Sequence, residues 1–183
     1  MIAVIVIVVL VVLIGLFFWL GFNGLVKRRN RVDNAWSQID VQLKRRHDLI
    51  PNLVETVKGY AAHERGTFEA VTQARANAIN AQSPAEQAQA ENVLSGALKS
   101  LFAVAEAYPD LKANQNFLNL QEELTSSEDR VAYARQYYND SVLSYNTQIQ
   151  KFPTVILAGM FNFDKREFYD AEPEATETPQ VQF

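Results

Sequence analysis

Two histidines, a stripe of acids and a few basic side chains are the residues with the types to do chemistry. His47 and His63 stand sixteen residues apart. At 100° per residue they point about 160° away from each other on a straight helix, so they cannot share a metal ion. Each reads as a lone surface histidine. Asp33, Asp40 and His47 recur every seven residues beside an apolar seam that contains Arg46, and Glu128 and Arg135 repeat that spacing further along. Charges at core-facing helix positions must be paired. Asp40, Arg46, Glu128, Arg135 and Asn139 are therefore predicted to form a structural polar network that fixes helix register. The competing chemistry is a carboxylate metal or catalytic site. A ferritin-like di-metal centre needs inward Glu residues and Glu-x-x-His repeats, and this chain has no Glu-x-x-His. A Gly-rich phosphate loop, a His-Glu-x-x-His helix and a nucleophile elbow are missing too. There is no cysteine, which removes thiol catalysis and thiolate metal sites. The reading is a non-enzymatic chain with no catalytic residue, no metal ligand and no cofactor.

Charge narrows the partners. Residues 164–183 hold six acids and two bases, which accounts for the whole net charge of −4. The rest of the chain is balanced, so it lacks the basic field that nucleic-acid binding needs, and no nucleic-acid partner is expected. Ala, Gln, Glu and Leu are abundant while Gly and Pro are scarce, which favours helix.

The elements that must carry these residues begin with a hydrophobic run. Met1 to Val26 contains no charged residue. A helix of about 20 apolar residues crosses a bilayer core, and residues 1–26 are assigned as a transmembrane anchor through Val4, Ile7, Leu10, Leu13, Phe17 and Trp19. The run lacks the basic leader, the short apolar stretch and the small-residue cleavage site of a signal peptide, so an uncleaved anchor is expected. Lys27, Arg28, Arg29 and Arg31 follow it at once. The excess of basic residues on that side predicts the N-terminus outside and the remainder in the cytoplasm, with the same cluster free to meet anionic headgroups.

Beyond the anchor, Val32, Trp36, Ile39, Leu43, Ile50, Leu53, Val57 and Tyr60 step by threes and fours, broken only at Arg46. This predicts one long helix running on from the anchor and continuing through Pro51 with a kink. Gly66-Thr67 is the next weak stop. Ser83-Pro84-Ala85-Glu86 is a strong helix start, with Ser83 as cap and Pro84 at the first helical position. Tyr108-Pro109-Asp110 closes that helix, and a last one runs from about Lys112 to Phe152. The expected class is all-α: a single N-terminal transmembrane helix running into a cytoplasmic antiparallel four-helix bundle over residues 27–153. Residues 154–168 form an apolar membrane-proximal segment, too short to span, in which Val155, Ile156, Leu157, Phe161 and Phe163 are candidate interface residues. Residues 169–183 read as an acidic disordered tail.

Three stretches carry a family resemblance. The run from Ala35-Trp36-Ser37-Gln38-Ile39-Asp40 through Arg45-Arg46-His47-Asp48-Leu49-Ile50-Pro51-Asn52-Leu53-Val54 resembles the signature of the LemA family. Glu106-Ala107-Tyr108-Pro109-Asp110-Leu111-Lys112-Ala113-Asn114, then Phe117 and Leu120-Gln121-Glu122-Glu123-Leu124, is similar to its second block. Arg135, Tyr138-Asn139, Tyr145-Asn146 and Phe152-Pro153 are similar to its third. The resemblance implies a bacterial inner- or cell-membrane protein with one N-terminal helix and a cytoplasmic helical bundle. It implies a structural or membrane-organising role and supplies no enzymatic activity.

Three functions fit. One is a membrane-anchored scaffold that binds membrane or cytoplasmic proteins, lipid or copies of itself. Another is a factor that shapes the membrane or organises its lipids through the basic collar and the segment after residue 153. The third is a regulatory module of a membrane-bound signalling or stress system, which would take its signal from a partner because only a residue or two precede the anchor.

Overall fold

The computed structural model describes residues 1–169, and the all-α class expected from the pattern is what it has, with no strand among those residues. Six helices follow in order: α1 Ile2–Lys58, α2 Arg65–Asn80, α3 Pro84–Glu106, α4 Pro109–Lys112, α5 Gln115–Gln150 and α6 Thr154–Met160. The acidic tail expected over 169–183 lies outside the described residues apart from Tyr169.

α1 is continuous for 57 residues and passes through Pro51 without ending. A proline inside a helix removes one backbone hydrogen bond, and the buried side chains on either side, Ile50 and Leu53, keep the helix in register against a core. The helix stops at Lys58, not at the expected Gly66. Gly59 is a poor helix former, and the next residues turn so that Ala61 becomes buried. Tyr60, placed on the seam by its spacing, is exposed for the same reason. Gly66 lies in the first turn of α2, so α1 and α2 are separate helices.

The start of α3 follows the expected chemistry. The Ser83 side chain accepts from Glu86 N at 3.2 Å, and Glu86 accepts from Gln82 N at 2.9 Å, one residue earlier than a reciprocal capping box would place it. The turn at Tyr108-Pro109 holds α4, a short helix of its own. α5 then begins at a cap absent from the expectation, where Asn114 Oδ1 accepts from the backbone of Asn116 and Phe117 at 2.9 and 3.1 Å. α5 runs unbroken past Ser126-Ser127.

The described residues divide into two compact units. One comprises Met1–Ser37 with Gln136–Glu167; the other comprises Gln38–Arg135 with Phe168 and Tyr169. The core of the second unit is built from α1, α2, α3, α4 and the start of α5, through Leu53, Val57, Val71, Leu94, Leu101 and Leu111. The core of the first unit holds Leu25, Val32, Val142, Tyr145 and Leu157. Trp36 leans on Tyr138 there, with ring centroids 5.4 Å apart. Phe152, the expected end of the last helix, lies beyond α5, which ends at Gln150, and is 82% exposed.

Candidate functional site

The first unit begins with the apolar part of α1. An 18-residue window of that helix has a mean hydropathy of 3.4 and none of it is buried, so it is long and apolar enough to cross a membrane. Val4, Ile7, Leu10, Leu13 and Trp19 are all exposed, and Phe17 is half-covered. A surface with this much unbroken hydrocarbon is not stable in water; the chain is membrane-associated.

Protein covers α1 again from Gly21 onward. Leu157 of α6 is fully buried and lies against Gly21, where even a β-carbon would collide with its side chain. Phe22 makes edge contacts with Phe161 at 4.9 Å and with Phe163 at 5.8 Å between ring centroids. Arg29 places its guanidinium 5.3 Å from the centre of the Phe163 ring, within reach of a cation–π attraction. Arg28 donates to Ser144 Oγ at 2.6 Å. Two of the four basic residues expected to face headgroups are thus held by their own protein, while Lys27 and Arg31 are exposed. The candidate interface residues divide as well. Leu157 and Phe163 are buried; Val155, Ile156 and Phe161 are exposed.

After α6 the chain returns along α5 as an extended strap. The Asn146 side chain grips it twice, donating to Arg166 O at 2.8 Å and accepting from Arg166 N at 2.9 Å. Tyr138 donates its hydroxyl to Glu167 O at 2.9 Å. Arg166 itself reaches Asp33 at 3.0 Å, an exposed pair. Burial raises the Tyr138 and Tyr145 hydroxyl pKa above the usual value, against the lowering effect of Arg166 on both.

The second unit holds a buried polar cluster. Its centre is Glu91 on α3, which sequence reasoning did not single out. Glu91 Oε2 receives Arg46 Nη1 at 2.9 Å. Glu91 Oε1 lies 2.6 Å from His47 Nε2 and accepts from Gln87 Nε2 at 3.0 Å. Gln87 also donates to Ala78 O, so it ties α3 to the end of α2. Arg46 Nη2 donates to Ser95 Oγ at 2.8 Å. Arg75 donates to His47 O at 2.7 Å. Gln87, Glu91 and Ser95 are spaced by four on α3, and that polar stripe beside Leu94 and Leu98 was the signal available in the sequence.

Several expectations change here. His47 is buried and paired, not a surface histidine. Asp40 is exposed and lies outside the cluster. Glu128 stands at its rim, 3.7 Å from Arg46 and 60% exposed at the side chain. Arg135 is half-buried and acts on Tyr169 rather than on a carboxylate of the cluster. Asn139 is half-buried in the other unit. Tyr169, expected at the head of a disordered tail, is buried in the second unit. Its hydroxyl pKa is pushed well above the usual value, first by burial and then by the negative charge of Glu91, with Arg135 and Arg46 opposing. Arg46 Nε finds no acceptor among the described residues, so the cluster is not fully satisfied. A buried ion pair in that state favours one packing arrangement more than it adds stability. No three His, Asp or Glu side chains gather to hold a metal ion among the described residues.

Residues 35–183 match the LemA family. The chain is 31% identical over 152 residues to Protein LemA of Metamycoplasma hominis, covering 79% of this chain and 68% of that one. It is 28% identical over 186 residues to Magnetosome protein MamQ 2 of Paramagnetospirillum magneticum, covering 87% and 68%. Magnetosome protein MamQ of Magnetospirillum gryphiswaldense is 26% identical over 186 residues, with the same shares.

Proposed function

The chain belongs to the LemA family, and from that premise we propose that it is a membrane-anchored, non-catalytic helical scaffold of a bacterial inner or cell membrane. Its helical part lies in the cytoplasm and binds partner proteins, lipid or further copies of itself. The observation that carries this reading is the fully exposed apolar stretch of α1, which continues as the same helix into the core of the first unit through Leu25 and Val32. A helix that is both span and core element transmits position from the bilayer to the folded part without a flexible linker. The four basic residues after Val26 support the cytoplasmic placement. The buried charges of the second unit support a structural role, because each is engaged by a neighbour on another helix. Relatives named as magnetosome proteins suit a role in organising an assembly.

Crosslinking in intact cells followed by mass spectrometry tests the scaffold. Recurrent links to the same partner or between copies are expected. A strictly monomeric chain with no recurrent neighbour would overturn it. Protease treatment of spheroplasts tests the orientation, and the folded part is expected to resist cleavage until the membrane is opened.

Membrane shaping is a second reading, favoured by exposed Lys27 and Arg31 beside the end of the apolar run. Charge reversal should be made at those two residues, since Arg28 and Arg29 hold the fold. Unchanged shape of anionic liposomes carrying either protein would remove this reading.

A further inference from the structure

α6 has no charged or strongly polar residue after Thr154: Val155-Ile156-Leu157-Ala158-Gly159-Met160. Leu157 and Ala158 are buried against the protein. The opposite face is also apolar and is open. Val155 is 42% exposed, Ile156 50% and Met160 59%, with Phe152 and Phe161 at either end. A helix that is apolar all round belongs in a protein core or in lipid, and a short one surrounded by protein on one side only has half of its surface unexplained.

What lies beside it decides the occupant. α6 packs on Gly21, and the residue after it, Phe161, packs on Phe22. Residues 2–20 of α1 span about 28 Å at the helical rise per residue, against a hydrocarbon core of about 30 Å. Gly21 and Phe22 therefore fall where α1 leaves the hydrocarbon. The uncharged run continues to Val26, so sliding the span along α1 carries α6 deeper, never out. Lys151 precedes α6 and Lys165 follows it, both exposed, with Lys27 exposed on α1. Basic residues flanking an apolar face are the pattern that meets anionic headgroups.

We propose that α6 is a second membrane contact, lying in the interface of the leaflet through which α1 leaves, with Val155, Ile156 and Met160 turned into lipid. The inference rests on the reading that α1 spans the bilayer. Gly21 sets the depth, because the absence of a side chain lets Leu157 seat against α1. The protein then touches the bilayer along a patch instead of at a single helix, which limits its tilt and rotation about the anchor.

The chain has no cysteine, so single-cysteine variants of the full-length protein can carry an environment-sensitive fluorophore. Labels go at Ile156 and Met160, with Trp19 as the lipid control and Glu55 as the water control, in vesicles of phosphatidylcholine and phosphatidylglycerol. Expected is strong quenching at 156 and 160 by lipids with a shallow nitroxide, and iodide quenching several-fold weaker than at 55. If position 19 is lipid-quenched but 156 and 160 respond to iodide as 55 does, the proposal is overturned and the anchor stands. If position 19 is not lipid-quenched, the anchor itself fails. Protection of 156 and 160 from both quenchers means that protein covers the face, a second copy included, and also overturns the proposal. A further variant, Ile156→Lys with Met160→Lys, alters only exposed positions. A label at Val155 should then lose its lipid quenching while position 19 keeps its own; unchanged quenching at 155 counts against lipid contact.

Discussion

The two units bury cores of similar character but fasten them with opposite chemistry. The second unit buries charge: Arg46 and His47 of α1 meet Glu91, Gln87 and Ser95 of α3. The first unit fastens its extended strap with neutral groups, the Asn146 amide and the Tyr138 hydroxyl, and leaves its ion pair, Arg166 with Asp33, exposed. The contrast follows from what each must hold. Helices present saturated backbones to one another, so only side chains can distinguish one register from the next, and a buried charge does this sharply. An extended strap has free N–H and C=O groups, and a side-chain amide offers one acceptor and one donor to match them. A neutral clamp also suits a unit that carries a stretch long and apolar enough to cross a membrane, since charge near a low-dielectric layer is costly to desolvate.

The largest effect should come from breaking the charged cluster on one side. Glu91→Ala leaves Arg46 buried without its carboxylate, and a loss of about 3–5 kcal/mol is expected. Denaturation of the full chain in detergent, followed by helical circular dichroism, measures it. Replacing Arg46, His47 and Glu91 together by Met, Leu and Leu should cost less than Glu91→Ala alone, because no charge is then stranded. If Glu91→Ala costs no more than an ordinary surface change, the contrast between the units is wrong.

Asn146→Ala comes next. It removes both hydrogen bonds to Arg166, and about 1–3 kcal/mol of local stability should be lost. The effect should be confined to the strap, seen as faster amide exchange over 163–167 with the second unit unchanged. Asn146→Asp keeps the acceptor but loses the donor to Arg166 O, so it should fall between wild type and Asn146→Ala.

What could be read in the sequence was local or periodic. The apolar run is visible because lipid demands length and composition alone. The α3 start is visible because Ser83, Pro84 and Glu86 act within one turn. The end of α1 was misplaced because Gly59 and Gly66 have the same propensity, and burial of Ala61 decides between them. Arg46 was recognised as a charge inside a seam, yet its partner was sought at matching heptad positions. Glu128 does reach it from the rim, but the nearer and buried partner, Glu91, sits on a helix whose alternation of Ala and Gln hides which face is inward. The strap was invisible for another reason: Asn146 binds backbone, which has no sequence signature at all. Tyr169 looked like part of an acidic tail because composition averages over neighbours and cannot see one buried ring.

Ser83→Ala is a smaller test within the second unit. The cap satisfies one backbone donor at the start of α3, so about 1 kcal/mol should be lost. The charged cluster is two to three turns further along the same helix. Amide exchange at Glu91 should therefore change less than at residues 84–87, which separates a frayed end from a loosened latch.

The mildest test uses pH and leaves the fold intact below the ordinary tyrosine pKa. Tyr138 and Tyr145 in the first unit and Tyr169 in the second all have hydroxyl pKa values raised by burial. In the unfolded chain each would ionise near 10.0. Between that value and the folded one, the unfolded state releases protons that the folded state keeps, so stability falls as pH rises. Below it these groups contribute no slope. Phenolate absorbance should show the three ionising late, and Tyr169→Phe should remove a late step belonging to the second unit. Tyr138→Phe should remove one from the first unit and also free Glu167 O, adding faster exchange in the strap. If Tyr169→Phe leaves the alkaline titration unchanged, that ring is not buried beside Glu91, and the second unit closes over its charges without the chain's return.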